Sequence, residues 1–267
     1  IGNSEVGHMN IGCGRVVMQS LPKINLAFKN NEIENNKIFK IFLKKHDPSK
    51  IIHVIGLCSN GGVHSHQDHI KKIVNILDKN KYKVALHLFS DGRDVSPFEF
   101  GQIIDDFING ISKNIKICSL IGRYFSMDRD SRWERIKKCY DLIIHGKANY
   151  KFENISLATK SAYKRGETDE FISPTVIGDY KGIEEGDSLF ITNFRADRVR
   201  ELLESFLIPN FNKFDRVGQM SHFSNALGMN EYSTELNKFM NSIFKNEIFK
   251  DTLGEQISKS GLYQLRI

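Results

Sequence analysis

The 267-residue chain has no apolar run approaching the roughly 18 residues that cross a bilayer, so its sequence holds no candidate membrane-spanning helix. No secretory signal pattern is visible. The cysteines Cys13, Cys58, Cys118 and Cys139 are far apart and form no Cys-x-x-Cys pair, which argues against zinc and against a disulfide framework. Cys58 and Cys118 fall in apolar strand-like runs, where a free thiol behaves as a small hydrophobe. That usage fits a reducing cytoplasm. Internal repeats and low-complexity tracts are absent as well. What is present is an ordinary globular composition, 40% hydrophobic and 26% charged. The length allows one large α/β domain, or one domain with pieces of another.

The formal charge of +6 raises nucleic acid as a partner. Lys37, Lys40, Lys44 and Lys45, and again Lys79, Lys81 and Lys83, are spread over polar faces in the manner of a solvated surface, so no nucleic-acid partner is expected. The arginines behave differently. Several sit inside short motifs beside glycine and aspartate, which suggests a small anionic ligand.

From residue 51 onward, apolar strand-like runs alternate with amphipathic helical stretches. Strands are expected at 51–58, 84–89, 115–121 and 188–192. Helices are expected at about 67–77, 97–108, 132–144, and from the 193–198 motif to about 206. Pro97 suits a first helical turn. The stretch 30–50, with apolar Ile33, Ile38, Phe39, Ile41 and Phe42, reads as a helix. The fold class is therefore α/β, a mostly parallel sheet with helices on both faces. His64, Arg93 with Asp94, Arg123, and Arg195 with Arg198 each come just after a strand. In open α/β sheets the carboxyl ends of the strands form the ligand crevice, so these four motifs are expected to converge on one rim.

The most informative segment is Gly-Asn-Ser-Glu-Val-Gly-His at residues 2–8. Its glycines let a bulky anion approach, and a helix starting near Ser4 would aim free N–H groups at it. Ser4 is either a nucleophile for phosphate or a helix N-cap. His64 and His66, two apart with no nearby Cys or carboxylate cluster, fit a phosphate contact better than zinc. His69 is expected to face solvent. Asp94 could accept a proton from a substrate hydroxyl or form a local ion pair. Arg123, Arg129, Arg195 and Arg198 offer forks for carboxylate and phosphate, or partners for Asp128, Asp130 and Asp197. As a set they favour a phosphorylated carboxylic acid. Trp133 and Tyr124 are read as packing residues, and Tyr163, Arg165 and the acidic 164–170 loop as a crevice lip or a solvated loop.

Taken together, the 2–12 segment, Gly-Gly-Val-His-Ser-His (61–66), Asp-Gly-Arg-Asp (91–94), Gly-Arg-Tyr-Phe-Ser-Met-Asp-Arg-Asp-Ser-Arg-Trp-Glu-Arg (122–135), Arg-Gly-Glu-Thr-Asp-Glu-Phe (165–171) and Asn-Phe-Arg-Ala-Asp-Arg (193–198) strongly resemble the cofactor-independent (2,3-bisphosphoglycerate-independent) phosphoglycerate mutases. The resemblance runs in order along the whole chain. It implies an isomerase that interconverts 3-phosphoglycerate and 2-phosphoglycerate through a phosphoserine in glycolysis and gluconeogenesis, with two manganese ions and no bisphosphoglycerate cofactor. By motif, Ser4 would be the nucleophile and a metal ligand, and His64, Arg93, Asp94, Arg123, Arg129, Arg195 and Arg198 would bind substrate. Asp94 would handle the proton of the glycerate hydroxyls, and Arg195 and Arg198 would hold phosphate.

The family pairs an alkaline-phosphatase-like α/β domain with an inserted substrate-binding domain. The expected division here is a phosphatase-domain stub at 1–18, the inserted domain at 19–244 and a returning connector at 245–267. The family's other metal ligands are absent, as is its next substrate lysine, so the chain is expected to be roughly the middle half of a monomeric cytoplasmic enzyme and to show little turnover alone. Asn60, and Val95-Ser96 where the family usually has Thr-Pro, read as tolerable departures. A phosphatase or phosphopentomutase of the same superfamily, and a non-enzymatic phosphoglycerate-binding module, are the alternatives.

Overall fold

The computed structural model describes residues 4–216, 223–245 and 250–265, with side chains from residue 7 onward. Helices α1 (Ser4–Cys13), α2 (Ser20–Lys29), α3 (Glu32–Asn35) and α4 (Lys37–Lys45) lead into β1 (Ile51–Leu57). There follow α5 (Gln67–Lys79), β2 (Lys83–Ser90), α6 (Phe100–Asn109), β3 (Lys116–Gly122), the short α7 (Arg123–Ser126) and α8 (Trp133–His145). Next come β4 (Tyr150–Phe152), α9 (Ile155–Lys164), a 3-10 turn (Asp169–Phe171), β5 (Thr175–Ile177), β6 (Ser188–Ile191) and α10 (Arg200–Leu207). The described chain closes with β7 (Asn225–Gly228), a 3-10 turn (Leu236–Lys238), β8 (Asn241–Ser242) and α11 (Leu253–Lys259).

The strands form one sheet in the order β4-β5-β3-β2-β1-β6-β7-β8. Pairing is parallel from β3 through β8, and β5 with its parallel neighbour β4 joins antiparallel to β3. Side chains alternate across a strand, and β1 is apolar on both faces. Ile52 and Val54 enter a core with residues of α2, α4, α5, α6 and α9, while Ile55 and Leu57 enter a second core with α8 and α10. Covering both faces is what a parallel sheet of this kind requires, and the expected fold class holds.

Local expectations differ from the structure in instructive places. The 30–50 stretch is two helices, split where the Asn36 side chain accepts the N–H groups of Ile38 and Phe39 at 2.8 and 3.1 Å and so caps α4. Pro97 stands outside α6. Its carbonyl accepts Asp169 N–H at 2.8 Å, and the helix begins at Phe100, whose N–H donates to the Asp169 carboxylate. His69 does not face solvent. It is fully buried, Nε2 lies 2.7 Å from Asn25 Oδ1, and its ring packs on Phe28 and Phe194 because α2 covers this face of α5. Strands β4, β5, β7 and β8 were not foreseen, since two to four residues are too few to show a period.

One polar feature crosses the sheet interior. Asp187 Oδ2 lies 3.0 Å from His53 Nε2, His53 Nδ1 lies 2.9 Å from His87 Nε2, and His87 Nδ1 lies 2.8 Å from Ser119 Oγ. Burial, then the neighbouring His53, pushes the His87 imidazole well below its ordinary range, and burial pushes His69 down to about 3. Both rings stay neutral when folded, whereas the unfolded chain protonates them below about pH 6.5. The unfolded state then binds more protons, so stability falls as pH drops below that value. The urea midpoint is expected to fall between pH 6.5 and 5, by the equivalent of up to about 2 kcal/mol per buried imidazole. An unchanged midpoint would contradict neutral His87 and His69 rings.

Candidate functional site

Strand β1 lies between β2 and β6, and the chain builds outward from it in both directions. The strand order reverses at β1, and in open α/β sheets ligands bind at the strands' carboxyl ends near such a point. The loop after β1 carries His64, whose carbonyl accepts Phe194 N–H at 2.9 Å and ties it to the loop after β6. The same loop is tied to the end of β2, because Ser59 Oγ donates to Asp91 Oδ2 at 2.6 Å.

Asp91 organises the neighbouring turn. Its Oδ1 accepts the N–H groups of Arg93 and Asp94 at 3.2 and 3.1 Å and a guanidinium N–H of Arg123 at 2.6 Å. Gly92 is required there: its φ is +67°, and a Cβ would stand 2.6 Å from the backbone nitrogen of Glu170. Arg123, the first residue of α7, also donates to Asp94 Oδ2 at 2.5 Å. This arginine is 3% exposed and Asp91 is 1% exposed, so the pair is a buried charge knot between the ends of β2 and β3. Burial acts to raise the Asp91 carboxyl, but the Ser59 hydroxyl and Arg123 outweigh it and hold the group below the usual carboxylate range.

His64 sits between two carboxylates, with Nδ1 3.5 Å from Asp197 Oδ1 and Nε2 3.9 Å from Asp94 Oδ2. Burial, then the Arg123 charge, lowers it to about 4, so it is a neutral imidazole at physiological pH. Asp197 in turn pairs with Arg129 at 2.9 Å and Arg195 at 3.2 Å. Arg93 is more exposed and pairs with Glu170 at 3.3 Å. Arg198 donates to the Met127 carbonyl at 3.1 Å. Of the seven residues foreseen, those at 64, 93, 94, 123, 129 and 195 are thus linked through Asp91, Asp94 and Asp197, and Arg198 stands beside them on the Met127 carbonyl. Ser4 begins α1, and its side chain lies outside the described residues.

Beside this array is a pocket of about 440 Å³, lined by Arg93, Arg123, Arg129 and Arg198 of the foreseen residues but not by His64, Asp94 or Arg195. Arg93, Arg123, Arg129, Arg132, Arg135 and Arg198 line it, against only Asp128, Asp130 and Glu170 of opposite sign. Asp91, Asp94 and Asp197 also pair with lining arginines from outside it, and Arg198 is the one left crowded: burial, then the charges of Arg129, Arg123 and Arg93, holds its guanidinium below the usual arginine range. A bound anion would relieve that repulsion. Among the described residues no three His, Cys, Asp or Glu side chains form a metal-holding group, so these residues do not make a two-metal centre by themselves.

Sequence reasoning missed Arg132 and Arg135 as pocket residues, although both lie in the quoted 122–135 motif. Tyr124, expected to pack, also lines the pocket and carries the Arg135 guanidinium 3.8 Å above its ring. Trp133 packs on Phe211. The acidic loop divides in two: Arg165 and Glu167 pair with each other, whereas Glu170 forms the lip opposite Arg93. Replacing Arg123 by Met is expected to destabilise the fold by about 3–5 kcal/mol, because Asp91 and Asp94 lose their buried counter-charge. Arg129→Gln, at a half-exposed pair, is expected to cost less than about 1 kcal/mol. Urea denaturation of both variants tests this, and equal effects would contradict it.

Comparison with known proteins gives a consistent picture. Residues 24–234 match the family model described as BPG-independent PGAM N-terminus. The 2,3-bisphosphoglycerate-independent phosphoglycerate mutases of Lawsonia intracellularis and Rhodopseudomonas palustris are each 43% identical to the chain, over 100% of it and over 52% and 53% of their own lengths. That of Cereibacter sphaeroides is 40% identical over 100% of the chain and 53% of its own length. The chain therefore spans about half the length of the curated relatives it matches. A Leishmania mexicana phosphoglycerate mutase, crystallised at low cobalt concentration, superposes with a TM-score of 0.84 at 29% identity, covering 98% of this chain and 50% of that one. On the match of its central 24–234 region and these relatives, the chain belongs to the 2,3-bisphosphoglycerate-independent phosphoglycerate mutase family.

Proposed function

We propose that in the whole protein this chain supplies the substrate-binding part of an enzyme that interconverts 3-phosphoglycerate and 2-phosphoglycerate. The observation that carries this is the arginine-lined pocket, in which Arg198 stands among Arg129, Arg123 and Arg93 and makes its hydrogen bond to a backbone carbonyl rather than to a carboxylate. A ligand with a phosphate at one end and a carboxylate at the other supplies negative charge in two separated places, each suited to a planar guanidinium fork. Arg195 and Arg198 take the phosphate, and Arg93, Arg123 and Arg129 with neutral His64 fix the rest of the molecule. Asp94, held by Arg123, takes and returns the proton of the glycerate hydroxyl.

Ser4 is the phosphate acceptor in this scheme, forming the phosphoserine through which the phosphate passes between hydroxyls. Two manganese ions, implied by the family, are held chiefly by residues outside this chain, and no step is assigned to them. The division at 1–18, 19–244 and 245–267 is supported by two contacts between the chain's ends. Helix α1 packs on α11, and Arg15 donates to the Lys250 carbonyl at 3.2 Å. Every strand of the sheet falls between them, at 51–242. A cytoplasmic protein is in keeping with the buried free thiols of Cys13, Cys58, Cys118 and Cys139, and the chain is taken to act as a monomer. No described helix is long and apolar enough to cross a membrane.

Calorimetric titration of the chain with 3-phosphoglycerate is expected to show saturable binding that weakens with added salt. Arg198→Gln is expected to weaken it by about tenfold or more, the loss of one hydrogen bond to a charged group. Ribose 5-phosphate, with no carboxylate, is expected to bind far less well. Equal binding of the two ligands, or none of 3-phosphoglycerate, would overturn the assignment.

A further inference from the structure

The turn that carries Arg129 and Arg132 into the pocket is held by two acids that the scheme above does not use. Asp128, 3% exposed, accepts the backbone N–H groups of Asp130 and Arg132 on Oδ2, both at 2.9 Å. Its Oδ1 lies 3.3 Å from Arg135 and 3.6 Å from Arg132. Ser131 is bent into the left-handed region at φ +60°, and its N–H donates to Glu201 Oε1 on α10 at 2.9 Å. The second oxygen, Glu201 Oε2, is buried with no hydrogen-bond partner, and the neighbouring acid is Asp128. Two neighbouring carboxylates offer each other no donor unless one of them carries a proton.

We propose that Glu201 is a positioning residue for the anion pocket: a proton shared between its carboxyl and that of Asp128 latches the arginine turn at 128–132 to α10. This assignment rests on the phosphoglycerate reading and adds to it a device that sets where the ligand's arginines stand. The latch joins the two arginine-bearing loops at one more point than Arg198–Met127 and Arg129–Asp197 do. The groups facing Glu201 are consistent with it. Asp128 and the Ser131 N–H approach from the turn, and Glu204 lies on its own helix. Arg132 and Arg135 act on the Asp128 side. Burial, then Asp128, raises Glu201 to about 6 against the pull of the Ser131 N–H. For Asp128, burial is outweighed by the N–H groups of Arg132 and Asp130 and by Arg135, which hold it below the usual range, so the proton resides on Glu201.

The test is to measure 3-phosphoglycerate affinity from pH 5 to 8 for the unaltered chain and for Glu201→Gln. The glutamine amide imitates the protonated acid at every pH, with a carbonyl for Ser131 and an N–H for Asp128. The ligand's own phosphate titrates near pH 6, but it does so equally against both proteins, so the ratio of their dissociation constants isolates Glu201. That ratio is expected to be near one at pH 5 and to shift about tenfold in favour of the variant by pH 8, as a one-unit change in the acid's pKa on binding would produce. Carbon-detected NMR of the Glu201 carboxyl is expected to titrate near pH 6 with the Ser131 amide shifting at the same midpoint. A ratio that stays flat, or a Glu201 that titrates in the ordinary glutamate range, overturns the latch. If neither protein binds 3-phosphoglycerate while Glu201 and Ser131 titrate together, the phosphoglycerate reading fails and the latch stands.

Discussion

The site depends on one buried guanidinium. Arg123 reaches from the end of β3 to Asp91 and Asp94 at the end of β2, and all three are drawn out of water or nearly so. Taking such charges from solvent costs several kcal/mol each, and the knot is tolerated because every carboxylate oxygen facing it finds a donor. Asp91 spends its remaining acceptors on Ser59 and on the backbone of its own turn. The loop after β1, the turn after β2 and the start of α7 are therefore positioned by a single polar cluster. His64 then lies between the knot and Asp197, neutral because Arg123 and burial together disfavour its charge.

From the knot outward, charge balance changes sign. At its centre, one arginine faces two aspartates. At its rim, five further arginines line the pocket with Asp128, Asp130 and Glu170, and Asp197 pairs with one of the five, Arg129. The inner cluster is a finished structure, whereas at the rim Arg198 is left without a carboxylate ion pair among the described residues and is repelled by its arginine neighbours. Function is expected where a fold leaves charge uncompensated at the mouth of a crevice, and here that place coincides with the point where strand order reverses.

Much of this was legible in the sequence because the informative residues sit at strand ends. Parallel strands such as β1 and β2 are seven and eight residues long and almost wholly buried, so their apolar runs announce themselves and place His64, Arg93 and Arg123 at one edge. The acids were harder to read. Asp91, Asp128 and Asp197 look like ordinary turn residues in the sequence, and only the fold shows which arginine each one holds. His69 was misplaced because a polar side chain on an amphipathic helix is usually exposed, and nothing local reveals that α2 lies over it. Glu201 was invisible for the same reason, since its partners Ser131 and Asp128 are about seventy residues away along the chain.

The most direct check of the central claim is a crystal structure of the chain grown with 3-phosphoglycerate. The account predicts one ligand reaching from the arginine-lined pocket toward His64, its phosphate on the guanidinium groups of Arg195 and Arg198, its carboxylate on the other arginines, and a hydroxyl within hydrogen-bond reach of Asp94. An empty pocket at saturating ligand, or a ligand seated elsewhere on the molecule, would contradict it.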